Sequence, residues 1–207
     1  MKVSLPLGID IFEKLRTSGC YYIDKTGFIK ELLEETFEVN LITRPRRFGK
    51  TLAMSMLAEF LDIRKESQRL FEGLEISRKK AFCKLWMNQW PVLFISLKDV
   101  QGNTFEDAFG MLAFVISSLC VDHAYLEKSD WVDAADKKIF IRLKNRQCDD
   151  TDIKTALYVL MRMISSHYGK NVILLVDEYD VPLAKATDKG YYDEMLNIIR
   201  SLLGMAW

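Results

Sequence analysis

Helical and extended patterns alternate along this chain, and that alternation predicts a three-layer α/β fold. Two segments sharpen the prediction. Arg44-Pro45-Arg46-Arg47-Phe48-Gly49-Lys50-Thr51 follows the apolar run Val39-Asn40-Leu41-Ile42 and opens a helix-patterned stretch. Far downstream, Val172-Ile173-Leu174-Leu175-Val176 reads as a buried strand ending in Asp177-Glu178. A strand feeding Gly-Lys-Thr at a helix start, partnered by a strand that ends in carboxylates, is the sequence form of a P-loop nucleotide site.

The remaining elements come in order. Ile9 to Leu15 and Thr26 to Leu33 mix polar and apolar positions as short helices do, with Tyr21-Tyr22-Ile23 between them. Val39 to Thr43 is the strand expected to feed the loop. Ala53, Met56, Leu57, Phe60 and Leu61 then recur at the spacing of an amphipathic helix starting at the loop's glycine and lysine. Residues 63 to 90 are charged and turn-rich, anchored by Leu70-Phe71 and Leu74. Pro91 introduces a second strand, Val92-Leu93-Phe94-Ile95. Asn103-Thr104 should cap a helix whose face is Phe105, Ala108, Phe109, Leu112, Ile116 and Leu119. Within it, Met111 to Val121 is too short to cross a bilayer and reads as a buried helix. Ile153, Ala156, Leu157, Leu160, Met161 and Ile164 mark another helix, closed before Gly169. The strand ending at Asp177 comes next, then a loop, then a last helix over Tyr192 to Leu203.

Composition narrows the class. The chain has 207 residues, enough for one domain with a sizeable core, and 29 basic residues balance 29 acidic ones. Global charge therefore favours neither nucleic acid nor an acidic membrane, and no membrane partner is expected. Local charge differs, because Arg44, Arg46, Arg47 and Lys50 would suit a polyanion such as a nucleotide triphosphate. Cys20, Cys83, Cys120 and Cys148 are widely spaced without a C-x-x-C pair, which argues against zinc. No secretory signal precedes them, so reduced thiols in the cytoplasm are the expectation. The sequence after the last helix is too short for the further sensor strand and lid of an oligomeric ATPase. Residues 1–207 are thus expected to form one P-loop domain that is incomplete at its C-terminus.

Each candidate site residue has a chemical reason. Phe48, Gly49, Lys50 and Thr51 would form the phosphate cradle at the helix N-terminus, with Gly49 allowing close backbone approach. The Lys50 ammonium would bridge the terminal phosphates of ATP and stabilise charge as the γ-phosphoryl group leaves. The Thr51 hydroxyl would hold Mg²⁺. Arg44 occupies the place of the template's first glycine and Pro45 removes one N–H from the cradle. Arg46 and Arg47 could compensate by donating to phosphate. Asp177, at a strand's carboxyl end, would hold Mg²⁺ directly or through water. Glu178 would polarise the attacking water as general base. Asp180 adds a third carboxylate that either tunes the metal or caps the next element. His123 and His167 stand alone and read as structural or exposed. Tyr21, Tyr22 and Phe12 are placed for adenine stacking or for packing, and Trp86, Trp90 and Trp131 read as packing or interface residues.

These segments resemble a known family. The loop from Arg44 to Thr51 belongs to the resemblance, as do Leu7-Gly8-Ile9 with Phe12 and Leu15, and Tyr22-Ile23-Asp24-Lys25-Thr26-Gly27-Phe28-Ile29. So do Leu70-Phe71-Glu72-Gly73-Leu74, Pro91 to Asp99, and Val176-Asp177-Glu178-Tyr179-Asp180-Val181-Pro182-Leu183. Together they resemble the AAA-ATPase-like family of bacterial and archaeal P-loop NTPases, which commonly carries a C-terminal PD-(D/E)xK-type nuclease domain. The resemblance implies a RecA-like or AAA-related, mainly parallel sheet, ATP and Mg²⁺ binding, and hydrolysis. Under it Arg44 is the family's normal loop residue, and Asp24 and Lys25 fall in a motif of undetermined role. The nuclease domain is not represented, so contact with nucleic acid is expected only through that missing part. Self-association would let a neighbour supply an arginine. The leading expectation is an ATPase that couples ATP binding or hydrolysis to conformational change. The alternative is a non-hydrolysing, nucleotide-responsive module that acts on a protein or nucleic-acid partner. A small-molecule kinase would share the loop but need a second substrate pocket that the sequence does not signal.

Overall fold

A computed structural model describes residues 5–6, 8–35, 39–42 and 49–204. The chain divides into two compact units, Met1–Val92 and Leu93–Trp207.

The first unit is helical. It contains α1 (Phe12–Thr17), α2 (Gly27–Glu34), α3 (Lys50–Leu61), α4 (Gln68–Phe71), a 3₁₀ turn at Glu75–Arg78 and α5 (Lys80–Trp86). Ala53, Met56, Leu57, Phe60 and Leu61, expected as the apolar face of α3, are all buried, but so is every other residue from Ala53 to Leu61, so the helix is enclosed by the core rather than amphipathic. Aromatic rings organise the rest. Phe12 stacks on Phe71 with centroids 4.9 Å apart, and Phe60 meets Phe71 edge-on at 5.2 Å. Phe82, Trp86 and Trp90 continue the row. Phe12 and Tyr22 are therefore packing residues. The stretch 63–90, expected to be mainly turns, instead folds into α4, the 3₁₀ turn and α5. These helices are of seven residues or fewer, too short for a periodic stripe to stand out from the surrounding charges.

Asn88 closes the C-terminal end of α3. Its backbone N–H donates to the Phe60 carbonyl at 2.8 Å, and its side-chain amide donates to the carbonyls of Glu59 and Asp62 at 3.1 and 3.0 Å. Its Oδ1 accepts from the Ser67 N–H at 3.0 Å. A helix leaves its last carbonyls without intrahelical partners, and one left-handed asparagine (φ 55°) supplies those of Glu59 and Phe60 here, while the Trp90 N–H serves that of Leu61 at 3.1 Å.

The second unit carries β1 (Val92–Ser96, beginning at the boundary), α6 (Phe105–Asp122), a 3₁₀ turn at Ala124–Lys128, α7 (Ala134–Lys144) and α8 (Asp150–Tyr168). It continues with β2 (Ile173–Asp177), α9 (Val181–Lys189) and α10 (Tyr192–Gly204). Helix α8 packs against α7 and α10, and α6 packs against α7. Leu93, Leu112, Ile116, Phe140, Leu157, Leu160 and Ile198 are among the residues at the centre of one hydrophobic core. Thr104 caps α6 as its position suggested, accepting from the Asp107 N–H at 3.2 Å. Gly169 ends α8 in the left-handed conformation. Gly102 is required by space: a Cβ there would lie 2.5 Å from the Ala108 nitrogen, inside any allowed contact.

The chain is a mixed α/β protein with many helices and a small parallel sheet of β1 and β2. Residues 39–42, expected as a strand, pair with no strand among the described residues, and Thr43 lies outside them. Val39 and Leu41 are exposed, so alternation alone did not secure a buried place for this segment. Helix α6 is one-sided rather than buried throughout Met111 to Val121, because Phe114 and Val121 face solvent. Two further helices were not foreseen. Helix α9 occupies the expected loop after Asp177; Pro182 stands in its first turn and Gly190 at its C-terminus, the usual asymmetry. Helix α7 starts from Asp133, whose carboxylate accepts from the Ala135 N–H at 2.7 Å. No helix among the described residues is long and apolar enough to cross a membrane.

Candidate functional site

Arg46, Arg47 and Phe48 of the proposed phosphate loop lie outside the described residues, as do Arg44 and Pro45. Gly49, Lys50 and Thr51 are described, and they stand together at the N-terminus of α3. Gly49 is the residue before the helix, in the left-handed conformation (φ 75°, ψ 29°), a shape that glycine adopts without steric cost. Its backbone is exposed, and a Cβ built there would meet nothing within 4 Å. Lys50 is the first helical residue and Thr51 the second, both half-buried. The first-turn N–H groups of this twelve-residue helix and its positive dipole end give the local chemistry of an anion site.

Asp177 and Glu178 stand together at the carboxyl end of β2. Asp177 closes the strand, is only 1 % exposed, and neither carboxylate oxygen has a hydrogen-bond partner among the described residues. Buried polar atoms are almost always paired, and an unpaired carboxylate is costly, so this group has unused acceptor capacity. Its backbone is ordinary ladder: the Leu97 N–H donates to the Asp177 carbonyl at 2.9 Å. Glu178 is half-buried with φ 53°. A left-handed backbone at a residue with a Cβ costs about 1–2 kcal/mol and turns the chain sharply off the strand. The Val181 N–H then donates to the Glu178 carbonyl at 3.1 Å and leads into α9. Asp180 sits just before α9, but its side chain makes no capping bond, so capping does not account for it.

The ladder bond from Leu97 also fixes the register of the sheet. In a parallel pair, it sets Ser96 opposite Asp177. Leu93, Ile95 and Leu97 belong to the unit's core, and Leu174 and Val176 pack against that core. Strand alternation therefore puts Ser96 and Asp177 on the other face together. Sequence reading did not single out Ser96; the available signal was a hydroxyl residue closing an otherwise apolar strand.

Asp24, from the motif of undetermined role, has a structural account. Its Oδ1 accepts from the N–H and hydroxyl of Thr26 at 2.9 and 2.7 Å, and its Oδ2 accepts from the Glu75 N–H at 2.7 Å. Thr26 Oγ1 in turn accepts from the Ile76 N–H at 3.2 Å. Burial works against the charged form of Asp24, but the bonds from Thr26 and Glu75 and the charge of Arg16 outweigh it and hold its carboxyl below the usual range. The pair clamps the start of α2 to the 3₁₀ turn at Glu75–Arg78, which directly follows the Leu70–Leu74 segment of the family resemblance. Arg16 assists by donating to the carbonyls of Leu70 and Glu72.

The other candidates are structural. The buried His123 ring contacts the Leu119 carbonyl through Nδ1 at 2.9 Å, and His167 Nδ1 lies 2.8 Å from the Ser129 hydroxyl. All four cysteines are unpaired thiols. Burial pushes Cys120 up to about 12 and raises Cys83 and Cys148 as well, so none of these three is a ready thiolate nucleophile. Among the described residues, no group of three or more His, Cys, Asp and Glu side chains gathers as a metal cluster.

Comparison with known proteins agrees with the sequence pattern. The profile of the AAA-ATPase-like family, described as predicted AAA-ATPases, matches residues 6–206, and the chain belongs to that family. A protein of Azotobacter chroococcum mcd 1, named as an uncharacterized protein in the vnfD 5′ region, is 30% identical over 180 residues. The match covers 86% of this chain and 29% of that protein, so the chain spans less than a third of that relative's length. No solved structure matches the chain.

Proposed function

We propose that residues 1–207 act as an ATP-binding P-loop domain that hydrolyses ATP with Mg²⁺ and converts the cycle into conformational change. The observation that carries this reading is the Asp177 carboxylate, buried at a strand's carboxyl end with both oxygens unpartnered among the described residues. A hard divalent cation takes oxygen ligands of this kind, and such strand ends are where open α/β sheets receive ligands. Membership of an ATPase-like family and the Gly49-Lys50-Thr51 start of α3 support the nucleotide half of the reading.

Within it, Lys50 and the helix N–H groups bind the terminal phosphates, aided by Arg46, Arg47 and the backbone of Phe48 and Gly49. The loop motif assigns Thr51 to the cation, and burial without a donor among the described residues assigns Asp177 to it; the cation would neutralise charge on the phosphate oxygens. Glu178 accepts the proton of the attacking water, and its strained backbone supports a residue set in place for function. The proposal extends to a cytoplasmic setting and to self-association, through which a neighbour's arginine could raise turnover by roughly 10³–10⁵-fold.

The test compares the parent with Lys50→Ala, Asp177→Asn and Glu178→Gln for Mg·ATP affinity and steady-state phosphate release, over a range of protein concentration. Lys50→Ala and Asp177→Asn should lose affinity, whereas Glu178→Gln should bind and not turn over. Tight binding with no release by the parent at any concentration would leave a nucleotide-responsive module in place of an enzyme. Undiminished release by Glu178→Gln would remove that residue from the mechanism.

A further inference from the structure

Ser96 and Asp177 lie opposite each other on the same face of the sheet, and their hydrogen-bonding deficits are complementary. The Ser96 hydroxyl accepts one long bond, from the Lys98 N–H at 3.4 Å, and its own proton meets no acceptor among the described residues. Asp177 has two acceptor oxygens and no donor among them. Adjacent strands run about 4.8 Å apart, within reach of a serine–carboxylate hydrogen bond after a rotation about χ1.

We propose that Ser96 is a positioning residue for Asp177: its hydroxyl donates to the carboxylate oxygen turned away from the cation. The proposal rests on the reading of Asp177 as a cation ligand and adds what orients it. A carboxylate ligand has two oxygens and a rotatable side chain. A donor on one oxygen fixes the rotamer and leaves the other facing the metal, as ligating carboxylates generally require. Ser96 is suited to this role because its backbone is locked into the same ladder as Asp177, so the donor and acceptor share one rigid support. The hydroxyl has no other strong bond among the described residues that such a contact would break.

The experiment reads cation affinity directly. Mn²⁺ binding is followed by electron paramagnetic resonance, with a non-hydrolysable ATP analogue present, for the parent, Ser96→Ala, Ser96→Thr, Ser96→Cys and Asp177→Asn. Apo melting temperatures are recorded alongside. Ser96→Ala should weaken Mn²⁺ binding roughly 10-fold, the size expected when an outer partner of a metal ligand is removed. Ser96→Cys should do the same, because a thiol is a poor donor, and Ser96→Thr should restore binding by returning the hydroxyl. Parental Mn²⁺ affinity in Ser96→Ala beside lost affinity in Asp177→Asn would overturn the Ser96 assignment and leave the cation site standing. Parental affinity in Asp177→Asn would instead overturn the site itself. If Ser96→Ala proves unstable, equal and parental affinities in the threonine and cysteine variants would overturn the assignment on their own.

Discussion

Asp177→Asn should make the ligand-free protein more stable while removing its response to Mg·ATP. The side chain is 1 % exposed and neither oxygen is hydrogen-bonded among the described residues. Leaving a buried polar group unsatisfied costs about 1–3 kcal/mol, and more when the group is charged. The substitution keeps the shape and leaves a buried polar amide but removes the charge, so only the extra cost of burying a charge is recovered, about 2 kcal/mol. For a chain of this size each kcal/mol moves the melting temperature by about 2–4 °C, which puts the apo variant about 4–8 °C above the parent. Ligand reverses the order. Mg·ATP at 100 times its Kd stabilises the parent by about 2.7 kcal/mol, and a variant that cannot hold the cation forgoes this. Differential scanning calorimetry of both proteins, with and without Mg·ATP, yields the four melting temperatures. A lower apo melting temperature in Asp177→Asn would refute the reasoning, since the carboxylate would then be satisfied by contacts that stabilise the fold.

Three further outcomes concern the framework around the site. Asn88→Ala deletes three side-chain hydrogen bonds and places alanine at φ 55°, so urea unfolding should show a loss of about 2–4 kcal/mol, with Asn88→Gly recovering only the backbone part. Asp24→Ala should lower stability by about 1–3 kcal/mol yet leave ATP affinity unchanged in titration calorimetry, because the structure gives Asp24 a clamping role. Arg142 donates to both oxygens of Asp152 at 2.7 and 2.6 Å, and these bonds hold the Asp152 carboxyl below its usual range. Its folded-state pKa is thus depressed, so its contribution to stability is present above the ordinary value of 3.8 and fades as pH falls through the folded value. Asp152→Asn should flatten the acid limb of a stability–pH curve below that point while leaving its shape near neutrality unchanged.

Much of the second unit was legible in the sequence. The stripes of α6 and α8, the cap at Thr104, the stop at Gly169 and the strand ending at Asp177 arise from periodicity and terminal chemistry, which act over a few residues. So does the start of α3 at Lys50. The short helices α1 and α2 were legible, but α4, α5 and α9 were not, because these hold their shape through partners elsewhere in the chain. The clamp from Asp24 to Glu75 and the closure of α3 by Asn88 likewise join residues roughly 50 and 30 positions apart.

The candidate ligands were read locally, from Gly49-Lys50-Thr51 at a helix start and Asp177-Glu178 at a strand end. Tertiary structure alone decided that the Asp177 carboxylate is buried without a donor among the described residues, that Glu178 is held left-handed, and that Ser96 faces Asp177 across the ladder. Burial, strain and strand register depend on which distant segments pack together, and no window of sequence contains them.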